Sequence, residues 1–265
     1  MQEAVEGLRA GALATCSNSG DGPDQSGDVG ELPERIMAGN VKLYVDYRSP
    51  FAYLARAEAY ALEREFDLRL DWLPFAIDLK GAYGGEVSER SARDWRKVRY
   101  LYMDARRLAN RQGLIVRGPK KIFDPTLAHL GMLFAKAHGV FRAYHDTVSD
   151  RFWRHELDIE DREAIGSVLA ELGADGAAFK DYCGGPGPRD YAEIIEAAEQ
   201  RGVFGVPTFV LDKELFWGTD RIWLLREHLR ERQAAGRQRQ HRQKSGLRDG
   251  PPGRPEGPPQ HRRRS

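Results

Sequence analysis

The sequence predicts an α/β protein whose strands lie near the two ends of its ordered region and whose middle is helical. Three observations carry that expectation. Apolar residues alternate at Val41, Leu43 and Val45 and again at Leu68, Leu70 and Trp72, on either side of a helical stretch. Helical signals then run from Ser91 to Leu172, separated only by short stops. Finally Thr208-Phe209-Val210-Leu211 and Leu215-Phe216-Trp217 flank Asp212-Lys213-Glu214, which reads as a hairpin.

The elements follow in order. The first strand, Val41 to Tyr47, leads into Arg48-Ser49-Pro50. Serine followed by proline is a helix start: the hydroxyl caps, and proline suits a first turn whose N–H has no partner anyway. Phe51–Glu65 is the expected helix, burying Phe51, Leu54, Ala55 and Leu62, and the second strand stops at Pro74. The crossover makes the two strands parallel if they share a sheet. Ser91–Gln112, Pro125–His138, Phe141–His155 and Ile159–Leu172 read as helices, with Asp124 before Pro125 as a start, Asp158 as a cap with Asp161 as its first-turn acid, and Gly139 and Gly173 as stops. The run from Cys183 to Pro188 reads as a loop, and Asp190–Arg201 as a helix ended by Gly202. After the hairpin, Gly218-Thr219-Asp220 caps a last helix, Arg221–Arg232, burying Ile222, Leu225 and Leu229. The order β-α-β, helical block, α-β-β-α fits a thioredoxin-like α/β fold interrupted by an all-helical insertion. Its expected parts are a β-α-β unit over 37–80, the insertion over 86–185 and an α-β-β-α unit over 189–235.

Composition sets the bounds. The chain has 265 residues, 41% of them apolar and 31% charged, enough for one sizeable core. No stretch of about 20 apolar residues is present to span a membrane. The run Ala10–Ala14 follows Glu3 and Glu6 and is broken by glycine, so no secretory signal is expected there. The formal charge of +1 hides opposite tails. Residues 1–36 hold two basic and seven acidic residues, and 237–265 hold nine basic and two acidic residues with five prolines. Residues 1–36 and 236–265 are therefore expected to be disordered, with Met37 as a second candidate start. What lies between carries 30 basic and 31 acidic residues, which does not favour a nucleic-acid surface. Cys16 and Cys183 form no C-x-x-C pair and fit reduced thiols in cytoplasm. His129, His138, His145 and His155 fall on helices without ligand spacing and are expected to be structural or solvated.

A thioredoxin-type site brings together a helix N-terminus, which favours an anion, and a proline that opens a strand. Here Ser49-Pro50-Phe51-Ala52 occupies the first place and Val206-Pro207-Thr208-Phe209 the second. On its own Ser49 reads equally as a plain helix cap, and Pro207 as an ordinary trans proline.

Asp46-Tyr47-Arg48-Ser49-Pro50-Phe51-Ala52 resembles the "D-x-x-S-P-[YF]-[AS]" opening of the 2-hydroxychromene-2-carboxylate isomerase and kappa-class glutathione transferase family. Residues Gly202 to Phe209 are similar to that family's "G-x-x-G-V-P-T-F", and Phe216 to Arg221 to its "F-x-G-x-D-R". Phe152-Trp153 with Asp158-Ile159 is similar to its "W…D-I" element. The matches run in family order from Val41 to Leu229.

The resemblance implies glutathione as cofactor. Ser49 would hydrogen-bond its sulfur and hold it as thiolate, lowering the thiol pKa. Val206 would hold the cysteinyl part through its backbone, with Pro207 cis, while Thr219 and Asp220 would receive the γ-glutamyl end. The glycyl end has only Lys80 within Ala76–Gly85 to meet it, where relatives carry an Asn- or Lys-bearing loop. Gly118-Pro119-Lys120-Lys121 reads as a solvated charge run or as cations for an acidic substrate, and Tyr47, Tyr100 and Trp153 as aromatic pocket candidates.

With serine and alanine at 49 and 52, dithiol exchange is closed to the protein's own side chains. The implied activity is glutathione-dependent isomerisation of an aromatic or conjugated acid, by thiolate addition, bond rotation and thiolate expulsion. A kappa-like transferase that releases the conjugate, and a non-catalytic thioredoxin-fold binding module, remain open alternatives. The expected partners are glutathione and a small-molecule substrate, with no specific nucleic acid and no membrane; a homodimer is left open.

Overall fold

A computed structural model describes residues 41–83 and 87–244 of the chain. The expectations for residues 1–36 and 245–265, and the choice between Met1 and Met37, lie outside them.

Four strands form one mixed sheet: β1 (Val41–Val45), β2 (Asp71–Pro74), β3 (Thr208–Leu211) and β4 (Glu214–Trp217), in the order β2-β1-β3-β4. β1 runs parallel to β2, with Leu43 opposite Trp72, and antiparallel to β3, with Leu43 opposite Phe209. β3 and β4 make the expected hairpin, turning at Asp212, whose φ of 57° places it in the left-handed region that aspartate tolerates. Because β1 and β3 are central, their side chains are buried on both faces, and Val41, Leu43, Val45, Phe209 and Val210 are each at most 2% exposed.

The crossover helix α1 (Pro50–Phe66) is capped by the Ser49 side chain, carries proline in its first turn and ends at Asp67 with φ 48°. Its apolar stripe, including Leu54, Ala55, Ala59 and Leu62, is buried. The insertion comprises α2 (Leu79–Tyr83), α3 (Ala92–Arg111), α4 (Thr126–Ala137), α5 (Phe141–Trp153), α6 (Arg162–Glu171) and α7 (Gly176–Gly184). α8 (Gly187–Gln200) and α4 pack on β2, and the last helix, α9 (Ile222–Lys244), packs on β4 and α1. This is the thioredoxin-like α/β fold with a helical insertion.

Several expectations at element ends change. β1 ends at Val45 rather than Tyr47, and β2 begins at Asp71, which leaves Leu68 and Leu70 before the strand. α6 starts at Arg162 rather than Ile159, because Asp161 accepts from the N–H groups of Glu163 and Ala164 at 2.9 and 3.2 Å. Asp158 instead caps the turn before it, accepting from Glu160 N at 2.9 Å. The Cys183–Pro188 loop shrinks to Gly185-Pro186, since α7 extends to Gly184 and α8 begins at Gly187. Burial of Phe179 and Cys183 holds α7 against the low helix propensity of its glycines. α9 runs on to Lys244, so residues 236–244, placed in a disordered tail by composition, are helical. Six of these nine residues are Gln or Arg, strong helix formers even where nothing is buried.

Candidate active site

The corner between β1 and α1 is built around a buried carboxylate. Asp46 is 1% exposed and accepts from Arg48 N at 2.9 Å, Arg48 Nε at 3.0 Å, Arg48 Nη2 at 2.7 Å and Ile77 N at 3.0 Å. The same guanidinium donates through Nη1 to Phe123 O at 3.1 Å and through Nη2 to Ile77 O at 3.0 Å. One ion pair thus ties the strand end to the segment after β2 and to the segment before α4. Such a pair is tolerated in the interior because every charged atom is hydrogen-bonded. Ser49 is fixed on this corner: its N–H donates to Asp46 O at 3.0 Å, and its Oγ accepts from Ala52 N at 3.2 Å. The hydroxyl proton remains available to donate, at a helix N-terminus that favours an anion.

Facing the same space is the segment before β3. The Val206–Pro207 peptide is cis, Thr208 Oγ1 donates to Gly205 O at 2.7 Å, and Gly218 N donates to Pro207 O at 2.8 Å. Among the described residues no protein group hydrogen-bonds the Val206 amide or carbonyl, although Val206 is only 8% exposed. Gly205 lets Trp217 approach closely: a Cβ there would lie 2.6 Å from Trp217 Nε1 and would displace the indole. Trp217 in turn meets Phe204 edge to face at 4.8 Å, and both rings are more than half exposed.

Ser49 and Val206 line one cavity of about 900 Å³. Its other wall comes from the insertion: Tyr83, Trp95 and Tyr102 around α2 and α3, with Phe123 and Phe152 beneath. Burial pushes the Tyr102 phenol up to about 12, so it stays a neutral donor. The segment carrying Gly118 to Phe123 is held in place by Arg117 N on Trp153 O at 3.0 Å, His155 Nε2 beside Gly118 O at 3.1 Å, and Asp124 N on Glu160 Oε1 at 2.6 Å.

The predicted residues divide. Ser49 and Val206 share the cavity, with Pro207 next in chain and cis. Thr219 and Asp220 do not line it. They form a 3-10 turn, Thr219–Arg221, that packs against α1 one residue beyond Gly218. Asp220 pairs with Arg221 at 2.6 Å. None of Tyr47, Tyr100 and Trp153 lines the cavity: Tyr47 and Trp153 are core residues, 3% and 1% exposed, and Tyr100 faces outward. Lys80 lies on α2 without lining the cavity, whereas Lys120 and Lys121 do line it. Lys121 is engaged by Glu160 and lies over the Phe123 ring at 4.9 Å.

His129 and His145 are buried at the back of the corner rather than solvated. His129 Nδ1 meets Tyr191 Oη at 2.9 Å and His145 Nδ1 meets Tyr47 Oη at 3.3 Å. Burial lowers both pKa values, to about 4 and about 3, so both rings are neutral near pH 7. Burial pushes the Cys183 thiol up, away from reactivity.

Sequence reasoning overlooked the Asp46–Arg48 clamp, Arg90, Trp95 and the Phe204–Trp217 pair. For the clamp the signal was present: two opposite charges two residues apart at the end of an apolar strand.

The chain matches the DSBA-like thioredoxin domain family over residues 40–230. It is 32% identical over 191 residues to a 2-hydroxychromene-2-carboxylate isomerase of Pseudomonas putida, covering 70% of this chain and 91% of that one. Among solved structures, a 2-hydroxychromene-2-carboxylate isomerase superposes with a TM-score of 0.58 at 29% identity, over 79% of this chain and 99% of that one. A probable DsbA oxidoreductase from Streptomyces coelicolor shares the fold, with a TM-score of 0.59 at 19% identity over 74% and 90% of the two chains. A fold common to isomerase and oxidoreductase, joined to the closer sequence likeness, leads to one conclusion: the chain belongs to the DSBA-like thioredoxin domain family, on the side of the 2-hydroxychromene-2-carboxylate isomerases.

Proposed function

We propose that this protein is a glutathione-dependent isomerase of the 2-hydroxychromene-2-carboxylate isomerase type, acting on an aromatic or conjugated acid in the cytoplasm. The observation that carries the reading is Ser49. Its hydroxyl lines the cavity at the N-terminus of α1, where positions 49 and 52 hold no thiol of the protein's own. A site organised for a sulfur anion without a cysteine fits a thiol brought in as cofactor.

The residues fit glutathione at two points and are near it at a third. Ser49 Oγ already accepts from Ala52 N, so its proton is free for a sulfur. The Val206 amide and carbonyl fit the backbone of a cysteinyl residue. The Thr219–Arg221 turn sits beside the Gly218–Pro207 hydrogen bond, and Asp220 would exchange Arg221 for an ammonium. Held by Ser49 and Val206, glutathione would supply a thiolate able to add reversibly to a conjugated carbon, the chemistry that a cis–trans isomerisation requires. The protein's part is to keep the thiol ionised through Ser49 and the helix terminus and to orient it through Val206. The apolar walls keep water from the reacting atoms.

The test is calorimetric titration with glutathione followed by a glutathione balance during turnover. A hydrogen bond to a charged group contributes about 1.5–3 kcal/mol, so Ser49→Ala should weaken thiolate binding roughly tenfold to a hundredfold. Undiminished affinity with an unshifted thiol pKa would remove Ser49 from the site. Glutathione recovered intact supports isomerisation; glutathione consumed in step with product would make the enzyme a transferase.

A further inference from the structure

Among the described residues, four cations line the cavity, Arg48, Arg90, Lys120 and Lys121, and one carboxylate, Asp78. Most of this charge is already spent. Arg48 is clamped on Asp46, Lys121 on Glu160, and Asp78 accepts from Gly81 N at 2.9 Å. Arg90 and Lys120 remain. Among the described residues neither has a carboxylate partner. The Arg90 guanidinium lies over the Trp95 ring at 5.4 Å, and its Nε is buried without a hydrogen-bond acceptor.

A buried guanidinium N–H without an acceptor is costly, and arginine offers a planar fork that matches a carboxylate. The same cavity is lined by the aromatic and apolar side chains Trp95, Tyr102, Val98 and Phe51, with Trp95 directly beneath the guanidinium. Aromatic and apolar walls with one anion receptor at the edge suit an aromatic or conjugated carboxylate, the ring held between side chains and the charge at the rim.

We propose that Arg90, held against Trp95, is the carboxylate-reading residue of this cavity, with Lys120 as a second, exposed cation. The inference deepens the isomerase reading and rests on it for the substrate class. The binding it describes needs no cofactor, however, and can be measured without glutathione. Arg90 acts on ground-state recognition and not on the bond that turns. Its loss should therefore raise KM for an acidic substrate and leave kcat much less affected.

The experiment uses the full chain and 1-naphthoate as an unreactive aromatic carboxylate, with 1-naphthamide as its neutral counterpart, both titrated by calorimetry without glutathione. The wild type should bind the carboxylate at least tenfold more tightly than the amide. Arg90→Gln should erase that preference while leaving amide affinity unchanged, and Arg90→Lys should keep part of it. Equal thermal unfolding of the variants guards against misfolding. If Arg90→Gln binds naphthoate as well as the wild type, or the wild type shows no preference for the carboxylate, the assignment is overturned. Naphthoate binding that depends on Arg90 alongside a flat glutathione titration would sink the cofactor reading and leave this one standing. Glutathione binding without carboxylate preference would do the reverse.

Discussion

The two walls of the cavity spend their polar groups in opposite ways. On the sheet side, Arg48 donates to a carboxylate and two carbonyls, and Asp46 accepts from two residues. That charge is consumed in holding the chain, and Ser49 is the group it positions. On the insertion side, Arg90 and Lys120 line the same space with no carboxylate partner among the described residues, and the aromatics that share this wall, Tyr83, Trp95 and Tyr102, are half-buried. One wall is a frame and the other a receptor. Removing a charge from the frame should therefore cost stability, whereas removing one from the receptor should cost binding.

The largest effect is expected at Asp46. Asp46→Asn keeps the shape but leaves the Arg48 guanidinium, its side chain only 10% exposed, without its counter-charge. Breaking a buried pair from one side costs about 3–5 kcal/mol, measured as the loss of unfolding free energy in urea. Glutathione affinity should fall as well: the backbone bond from Ser49 N–H to Asp46 O survives the substitution, but the corner that carries both loses the ion pair that fixes it. A loss below about 1 kcal/mol would mean that the corner is held by its backbone turns and not by the pair.

Acid should weaken the region behind the frame next. His129 and His145 have folded pKa values lowered by burial to about 4 and about 3, against an ordinary value of 6.5. His129 faces Asp46, Arg48, Asp124 and Tyr191, and His145 faces Tyr47, Arg56 and Arg142. Below about pH 6.5 the unfolded chain takes up protons that the folded one refuses, so stability falls as pH falls. The slope is about 1.4 kcal/mol per pH unit for each histidine, down to about pH 4 for His129 and about pH 3 for His145. The segment between pH 6.5 and 5 precedes most carboxylate protonation and isolates this effect. His145→Gln should roughly halve the slope there; an unchanged slope would show that His145 is not kept neutral by the fold.

A smaller loss is expected from packing inside the insertion. Gly131 on α4 sits where a Cβ would overlap the Tyr144 hydroxyl of α5 and come within 2.9 Å of Ile165 Cγ2 on α6. Gly131→Ala must displace Tyr144, whose hydroxyl donates to Ala128 O at 2.9 Å, at a cost of about 1–3 kcal/mol. Thermal unfolding reads it, and glutathione affinity should hold, since Gly131 touches neither wall. A neutral or stabilising outcome would mean that the three helices can part slightly at no cost.

The two walls also differ in how far the sequence disclosed them. Ser49-Pro50 and Val206-Pro207 were legible because backbone chemistry demands those residue types at a helix start and before a strand. The family motifs ran through the same corner, yet only the serine, and not the Asp46–Arg48 pair beside it, was read as functional. The insertion was legible as helices and not as faces. On α3 Trp95, Val98, Leu101, Tyr102, Ala105 and Ala109 do recur at helical spacing, but an apolar stripe reads the same whether it meets core or cavity. Only Ala105 and Ala109 of it are buried while the others line the cavity, and Trp95 could be placed there only once the helix was. Aromatics chosen by type alone were misplaced: Tyr47 and Trp153 went to the core because rings that large supply much of its packing. The caps show the same limit: in the sequence Asp158 reads as the cap and Asp161 as a first-turn acid, whereas in the structure Asp161 is the cap.

The smallest effect should come from Lys120, and it separates receptor from frame most directly. Lys120 belongs to the exposed class, lines the cavity and has no carboxylate partner among the described residues. Its ammonium holds no other segment, because the Gly118–Phe123 stretch is fixed by Arg117, His155 and Glu160 instead. Surface substitutions away from caps and buried pairs usually stay within about 0.5 kcal/mol, so Lys120→Ala should unfold in urea as the wild type does. Affinity for an aromatic carboxylate should nonetheless fall two- to threefold at low salt, since a second cation at the rim adds long-range attraction. The difference should fade as added salt shortens the Debye length to about 8 Å near 0.15 M. Placed beside Asp46→Asn, this variant gives the opposite signature: stability intact and anion binding weakened. If Lys120→Ala instead lost several kcal/mol, the lysine would be part of the scaffold, and the division between a wall that holds and a wall that reads would fail at that residue.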